Sequence, residues 1–510
     1  MGEDNLTLLT SDKTLRYNAK DCVATLQVHN RGCVQELTPE YEETYKHTMS
    51  LYDPLMYMMI RGIAIDLDAL AKMKTKVGGL LIQYQDELNA LCGRYLNPNS
   101  SEDCKKYFYV EKGIPPYTKR GKKGSTVTCD DKALQRLARG TSNRAGLKEA
   151  KIIQRMRQLQ KLKGTYLDII FDADKRLRCS YNPRGTRFAR ISSSKTIFDT
   201  GMNMQNLPPA FMQFLVADPG KIIINLDKRQ AEWVVMAYIS GDAAMINAIE
   251  SKVDAHAYTA ANMFSVPMEV IRIEHKVLGT ESDPETIALK RRDIPELQPY
   301  LEGWLPRTMS LRQCGKKSNH GLNYDETAKM FSLINEITEK EAQVVIDFYH
   351  GVYPGIGRYY ETTRGKLTEN RTLHNLFGRP YTFRDKWGPD LFKSAYSFIP
   401  QSTVGELVNR AMRNIYDDAS EETKDLELMM QVHDNIAMQD QFEDLDRLVA
   451  SIRVFQKYMD VPLSAGGRDF RIGTDLKIGF TFGTLKELSL DQPDEALKQE
   501  IKAVIDGAQT

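Results

Sequence analysis

Two aspartates in this chain stand where apolar runs end, and each could offer a carboxylate at the rim of a sheet. Asp227 follows the β-branched run Lys221-Ile-Ile-Ile-Asn-Leu226. Asp434 sits in His433-Asp434-Asn435, between the apolar runs Leu428-Met-Met-Gln-Val432 and Ile436-Ala-Met-Gln439. Carboxylates on rigid strand ends can hold two hard divalent cations about 4 Å apart, which activate an attacking oxygen and neutralise a leaving pyrophosphate. Either Asp alone reads more simply as a helix cap or a turn former. A third segment shifts that balance, because Arg312, Lys316 and His320 fall at i, i+4 and i+8, on one face of a helix. Three potential cations in a row repel one another. A triphosphate gripped along the helix is an economical reason for them, and a solvent-facing basic helix is the plainer one.

The elements that must position these groups show in the residue pattern. Residues 221–226 predict a strand ending at Asp227, 230–239 the helix it feeds, and 428–439 a hairpin. Residues 308–349 alternate turn signals with helical stretches. Upstream, 51–59 and 67–91 carry apolar residues at helical spacing, separated by the turn signal Arg61-Gly62 and by Asp66, a natural N-cap. Residues 96–125 are rich in Pro, Gly, Asn, Ser and Lys and predict a loop with one short helix and a basic tip; helices resume over 131–168. The stretch 489–510 predicts a Pro-marked turn and an acidic amphipathic helix. Residues 1–40 look like the end of something rather than a domain.

With 510 residues, 42% hydrophobic and 27% charged, the chain is a globular protein of about two to four domains. It has no run of about 18 uncharged apolar residues, and its first ten residues are polar and acidic, so a membrane span and secretion are not expected. The seven cysteines are odd in number, scattered and never in a CxxC pair, which argues against a disulfide framework and a structural zinc site and for a reducing interior. Net charge is only +1, yet residues 101–200 hold 24 Lys and Arg against 10 Asp and Glu. Such a local excess fits either a surface that meets a polyanion or a solvated helix face.

Together these segments carry a resemblance. Arg312-x3-Lys316-x2-Asn319-x-Gly321-x2-Tyr324 resembles motif B, the finger helix of family A DNA polymerases. Asp227-Lys-Arg-Gln230-Ala-Glu232, followed by Ser240-Gly-Asp242, resembles motif A, and Gln431-Val-His433-Asp434 resembles motif C. Arg187-Phe-Ala-Arg190-Ile-Ser-Ser-Ser with Asn203-Met-Gln205-Asn206-Leu-Pro208 is similar to the primer-template-contacting segment. Asp254-Ala-His256, Gly378-Arg379 and Gln401-Ser-Thr403 match further, and 97–123 before Ser125-Thr126 resembles the thumb tip. The resemblance covers about 41–480, with the motifs in the family's order.

It implies an α/β right-hand polymerase with an α+β palm, fingers and a helical thumb. The expected divisions are an exonuclease remnant over 1–40, thumb over 41–164, palm over 165–242 and 395–488, fingers over 243–394, and a tail helix over 489–510. By the same resemblance Asp227 and Asp434 bind two magnesium ions, for which manganese can substitute, and Lys228 lends its backbone carbonyl. Arg312, Lys316 and His256 hold the triphosphate beside His320 and Gln230, with Lys316 the proton donor to pyrophosphate. Glu232 is the steric gate against a ribose 2′-hydroxyl. Tyr324 stacks near the templating position. Arg190, Asn206, Gln401, His433, Lys122 and Lys123 meet the DNA. The implied partners are primer-template DNA and deoxynucleotides, with an exonuclease subunit in trans or a processivity factor as further candidates. No membrane partner is expected. The implied setting is the cytoplasm of a bacterium or a virus-infected cell.

Several positions depart from the family pattern. His320 replaces the usual Phe or Tyr, and either a packed histidine or a phosphate contact would suit it. Lys228 replaces the usual aromatic, and its charge is expected to reach solvent. Asn435 replaces an acidic residue, Ser397 an Asn and Asp325 a Gly. Tyr17-Asn-Ala-Lys-Asp21 resembles the last motif of a proofreading exonuclease, but 1–16 offer only Glu3, Asp4 and Asp12 as carboxylates, so self-contained proofreading is not expected. A natural split and a truncation are both open. Two competing readings are a single-subunit RNA polymerase, disfavoured by Glu232 and the Asn319-x-Gly321 spacing, and a non-catalytic DNA-binding subunit.

Overall fold

The computed structural model describes residues 12–33, 38–121, 124–140, 144–335 and 337–509. At its centre lie five antiparallel strands: Lys221–Lys228 (β1), Glu427–Val432 (β2), Asn435–Gln441 (β3), Thr474–Gly479 (β4) and Lys486–Leu488 (β5). They are ordered β2-β3-β1-β4-β5, which makes β1 the middle strand. Its Ile222, Ile223, Ile224 and Leu226 are all fully buried, as a continuous β-branched run buried on both faces requires. The strand does not stop at Leu226. It runs on through Asp227 and Lys228, and Asp227 pairs with Asn435 on one side and Asp475 on the other. β2 and β3 form the expected hairpin, turning at His433-Asp434 with His433 in the left-handed region at φ 54°.

Among the helices, α1 (Leu67–Cys92) starts at Asp66, whose side chain accepts from Ala69 N at 2.8 Å, and ends at Gly93 in the left-handed region. With α2 (Lys148–Lys161) it encloses a separate core that includes Leu88, Phe108, Leu134, Leu137, Ile153 and Met156. The basic loop holds more structure than its composition suggests: Thr118–Gly121 and Gly124–Val127 pair as an exposed hairpin. Lys122 and Lys123 at its tip lie outside the described residues. So do Glu3 and Asp4.

Helix α3 (Ala231–Ser240) follows β1 directly. Three helices, α4 (Ala255–Phe264), α5 (Met268–Leu278) and α7 (Leu311–Gly321), then gather with the segment 294–301 around one core containing Ala257, Ala260, Ile271, Ile294, Leu297 and Leu311, and α6 (Pro284–Arg292) packs on α5. α7 crosses α4 at Gly315, where a Cβ would stand 2.2 Å from the His256 carbonyl oxygen, so only glycine permits this approach. The 29-residue α8 (Pro389–Asp417), buried along much of its length, packs on α3 and on α9 (Leu445–Met459). α10 (Asp494–Gln509) seals α9 with Leu497, Ile501 and Ile505. No helix among the described residues is long and apolar enough to cross a membrane.

Candidate active site

Strand alternation decides what Asp227 and Lys228 can do, because consecutive side chains leave a strand on opposite faces. Asp227 keeps some exposure, while its Oδ1 is buried with no hydrogen-bond partner among the described residues. Lys228 N donates to Asp434 O at 3.1 Å, which binds the end of β1 to the β2–β3 turn and brings the two carboxylates into one site. Burial, then the nearby Asp434 carboxylate, pushes the Asp227 carboxyl up to about 7, against the pull of Lys477. Burial also raises Asp434, opposed by its own backbone N–H and by Arg190.

The Lys228 side chain corrects the expectation that its charge reaches solvent. It is fully buried on the far face, where Nζ donates to Asp460 Oδ1 and Thr474 Oγ1, each at 2.8 Å, and to the carbonyls of Met459 and Ile472. These four acceptors replace what an aromatic would gain by packing. Burial still pulls the ammonium below its ordinary value, with Asp460 resisting. Asp475, across β1 from Asp227, is engaged by Arg229 at 2.7 Å.

The hairpin is held by Gln205. Gln205 Nε2 donates to Gln431 O at 2.8 Å, and Gln205 Oε1 accepts from His433 N at 3.1 Å. Gln431 Nε2 closes the loop on His433 O at 2.8 Å. The nearest sequence signal was the segment Asn203–Asn206, but a partner 226 residues away is invisible to spacing. Asn206 beside it is exposed. Below the hairpin lies a cavity of about 280 Å³ lined by Gln205, Asn225, Met430, Val432 and Asn435 among others. The Oδ1 atoms of Asn225 and Asn435 are buried without a hydrogen-bond partner among the described residues.

Glu232, in the first turn of α3, gathers three residues expected at the DNA. Tyr324 OH donates to its Oε2 at 2.5 Å, Gln401 Nε2 donates at 3.3 Å, and Arg190 binds its Oε1. The partly buried carboxylate is satisfied by this cluster, so in this structure Tyr324, Arg190 and Gln401 face Glu232. Burial and then Glu232 hold the Tyr324 phenol well above its ordinary value. Four backbones around the site adopt left-handed conformations without glycine: Ala189, Gln230, Asp325 and His433, at φ 63°, 51°, 60° and 54°. Asp325 explains its departure from the usual Gly, since the position demands a positive φ that Asp tolerates. Ser397 is buried and donates to Ser394 O at 3.1 Å.

Arg312, Lys316 and His320 do share one face of α7, but Arg312 is not an unpaired cation: its Nε donates to Asp254 Oδ2 at 2.6 Å. Burial would raise the Asp254 carboxyl, yet Arg312 and the α4 backbone outweigh it and keep it below the usual range. Lys316 and His320 are exposed, so His320 is not a packed substitute for an aromatic; its ring lies 6.1 Å from that of His256. His256 itself is buried, and burial pulls it down to about 4 against Asp254. It is therefore neutral near pH 7 and can meet a triphosphate only as a hydrogen-bonding group. Asn319 Nδ2, 3.1 Å from His256 Nδ1, assigns that nitrogen as the acceptor because Asn319 Oδ1 accepts from Thr259 at 2.9 Å. Nε2 then carries the proton.

Tyr17 and Asp21 lie one turn apart on the exposed helix Asp12–Val28. Among the described residues no three His, Cys, Asp or Glu side chains converge as a metal cluster. What the site offers a hard cation is two carboxylates, one with an unpartnered buried oxygen, and the Lys228 carbonyl between them in sequence. That donor set fits a divalent ion whose remaining ligands are water and phosphate.

Comparisons with known proteins now bear on the geometry. The model of DNA polymerase family A matches residues 67–277 and 306–476. DNA polymerase I of Pseudomonas aeruginosa is 25% identical over 475 residues, covering 88% of this chain and 46% of the relative. Thermostable DNA polymerase I of Thermus aquaticus is 25% identical over 411 residues, covering 76% and 42%. The chain thus spans about half the length of these curated relatives. The polymerase domain of Pol1 from M. smegmatis, solved with a DNA primer-template and dNTP, superposes with a TM-score of 0.68 at 20% identity, over 85% of this chain and 70% of that one. The fold is therefore that of a polymerase domain, an α/β right hand.

Proposed function

We propose, since the chain belongs to DNA polymerase family A, that it adds deoxynucleotides to a primer 3′ end under the direction of a template and releases pyrophosphate. One observation carries the reading: two half-buried carboxylates meet where the end of β1 touches the β2–β3 turn, with one oxygen of Asp227 without a partner among the described residues. Desolvated paired carboxylates are costly unless a cation answers them.

Polymerases of this family depend on divalent metal. In our reading Asp227, Asp434 and the Lys228 carbonyl hold two ions, magnesium by expectation, with manganese an acceptable substitute. When bound, such ions lower the pKa of the primer hydroxyl and neutralise charge on the triphosphate. The chain's own residues do the rest. Asp227 must first release the proton that burial and Asp434 favour. Arg312 leaves or shares Asp254 to grip phosphate oxygens, and Lys316, the exposed cation of α7, binds the outer phosphates and protonates the leaving pyrophosphate. His256, neutral, donates Nε2–H to a phosphate oxygen rather than adding charge. His320 and Gln230 flank this path.

Glu232 closes the site against a 2′-hydroxyl. An arriving primer-template and nucleotide free Arg190, Gln401 and Tyr324 from Glu232 to meet the minor groove and the templating position, while Asn206, His433, Lys122 and Lys123 contact backbone. Movement of α7 toward the carboxylates would couple nucleotide fit to chemistry. The divisions proposed are thumb over 41–164, fingers over 243–394 and palm from the flanking pieces, acting in the cytoplasm. The YxxxD helix at 12–28 is read as part of a proofreading exonuclease site. The test is primer extension with magnesium and either deoxynucleotides or ribonucleotides, comparing wild type with Asp434→Ala. Extension with deoxynucleotides that vanishes in the variant is expected. Preferential ribonucleotide use, or DNA binding without extension under any divalent metal, overturns the reading.

A further inference from the structure

A buried ion pair stands directly behind the phosphate-facing helix. Glu274 of α5 is fully buried and Arg291 of α6 is 5% exposed. Arg291 Nε and Nη2 donate to Glu274 Oε1 at 3.0 and 2.7 Å, and the same guanidinium reaches Pro306 O at 2.7 Å and Met309 O at 3.0 Å. Glu274 Oε2 accepts from Leu311 N, the first residue of α7, at 3.0 Å. The pair thus fixes both the strap entering α7 and the first N–H of the helix. Ser310 completes the junction by capping Gln313 N at 3.3 Å while bonded to His275 Nδ1 at 2.9 Å.

The family model leaves 278–305 unmatched, between its two stretches. Arg291 belongs to that interval, as do Ile294 and Leu297, which bury themselves in the core shared with α4 and α7. We infer that Glu274 and Arg291 are positioning residues for nucleotide binding: the segment between the two family-matched stretches anchors the N-terminus of α7 and so sets where Arg312 and Lys316 stand. This rests on the polymerase reading above.

Several features favour positioning over bulk stability. A buried ion pair contributes little net stability compared with apolar residues of the same volume, but it fixes geometry through directional bonds. Every bond of this one that leaves the pair ends on the strap or on α7. The carboxylate also lies at a helix N-terminus, where it complements the dipole. Arg312 follows Leu311 immediately, and α7 is already held against α4 at Gly315. A shift at Leu311 would therefore tilt the helix about that contact and carry Arg312 away from Asp254 and His256.

The test uses the full chain with the double variant Glu274→Met/Arg291→Met, which removes both charges while keeping volume, and the conservative Glu274→Gln. The expected result for the double variant is unchanged primer-template affinity, with a thermal midpoint lowered by no more than about a few degrees by the backbone groups left unpaired. The deoxynucleotide KM should rise roughly ten- to hundred-fold with a smaller fall in kcat. Amide hydrogen exchange should quicken over 307–316 while β1 and β3 stay protected, and Glu274→Gln, which keeps one acceptor oxygen but turns its NH2 toward Arg291 or Leu311 N, should raise the KM to an intermediate value. Two outcomes overturn the proposal: unchanged KM with unchanged exchange over 307–316, or a fall in every property together with the thermal midpoint. If wild type itself extends no primer, the polymerase reading fails, and the exchange experiment still decides whether the pair anchors α7.

Discussion

Asp227 should make the metal-free protein less stable as pH rises, and Asp227→Asn should reverse this. The carboxyl is pushed from 3.8 up to about 7 by burial and by Asp434. Between those values the folded protein holds a proton that the unfolded chain releases. Each pH unit across the window therefore costs the fold about 1.4 kcal/mol, up to roughly 4 kcal/mol above pH 7; the partial exposure of Asp227 makes this an upper bound. The asparagine carries no such penalty. In EDTA, Asp227→Asn should match wild type below pH 4, gain on it from pH 4 to 7, and hold a constant advantage at pH 8.5, read as a thermal midpoint higher by about a few degrees. The same proton must leave when a divalent cation binds. Calorimetry with manganese in two buffers of different ionisation enthalpy should detect release of about 0.8 proton at pH 6.5 and almost none at pH 8.5. Equal stability of the two proteins at pH 8.5, or no proton release at pH 6.5, would refute the claim that desolvation and Asp434 set this group's charge. Extension should be lost in the variant at every pH.

Other perturbations separate the parts of the site. Gln205→Leu removes both bonds to the catalytic hairpin, and a loss of about 1–3 kcal/mol of stability with roughly ten-fold slower extension is expected in denaturation and single-turnover assays. Gly315→Ala forces a Cβ to 2.2 Å from the His256 carbonyl; by separating α4 from α7 it should raise deoxynucleotide KM more than it lowers primer-template affinity, as titrations of each ligand would reveal. His256, held down to about 4, resists protonation that the unfolded chain accepts from about pH 6.5, so it costs stability as pH falls through that window. His256→Gln should soften the acid limb of a stability profile between pH 6.5 and 4, and an unchanged limb would count against a buried neutral imidazole. Glu232→Ala should raise ribonucleotide incorporation relative to deoxynucleotide by at least about ten-fold in competition assays.

Much of the architecture was legible because local pattern and tertiary environment agree. The run 222–226 is apolar at every position but Asn225 since both faces of β1 are covered, and Asp66 and the His433-Asp434 turn mark element ends by their own backbone chemistry. The hairpin at 118–127 escaped notice because four-residue strands in a basic, glycine-rich loop carry no periodicity. Side-chain partners were less accessible still. Nothing local tells that Lys228 is buried on Asp460 and Thr474, that Glu232 collects Tyr324, Arg190 and Gln401, or that Gln205 clasps a turn more than two hundred residues away.

The sequence by itself determined the order of the motifs, the membership of Asp227 and Asp434 in strand and turn, and the shared face of Arg312, Lys316 and His320, because these follow from periods of two and 3.6 residues. Only the tertiary structure decided which groups are charged. Burial depends on what the rest of the chain lays over a side chain, so the same fold that keeps His256 neutral also lifts Asp227 toward neutrality and leaves Lys316 free to meet a phosphate.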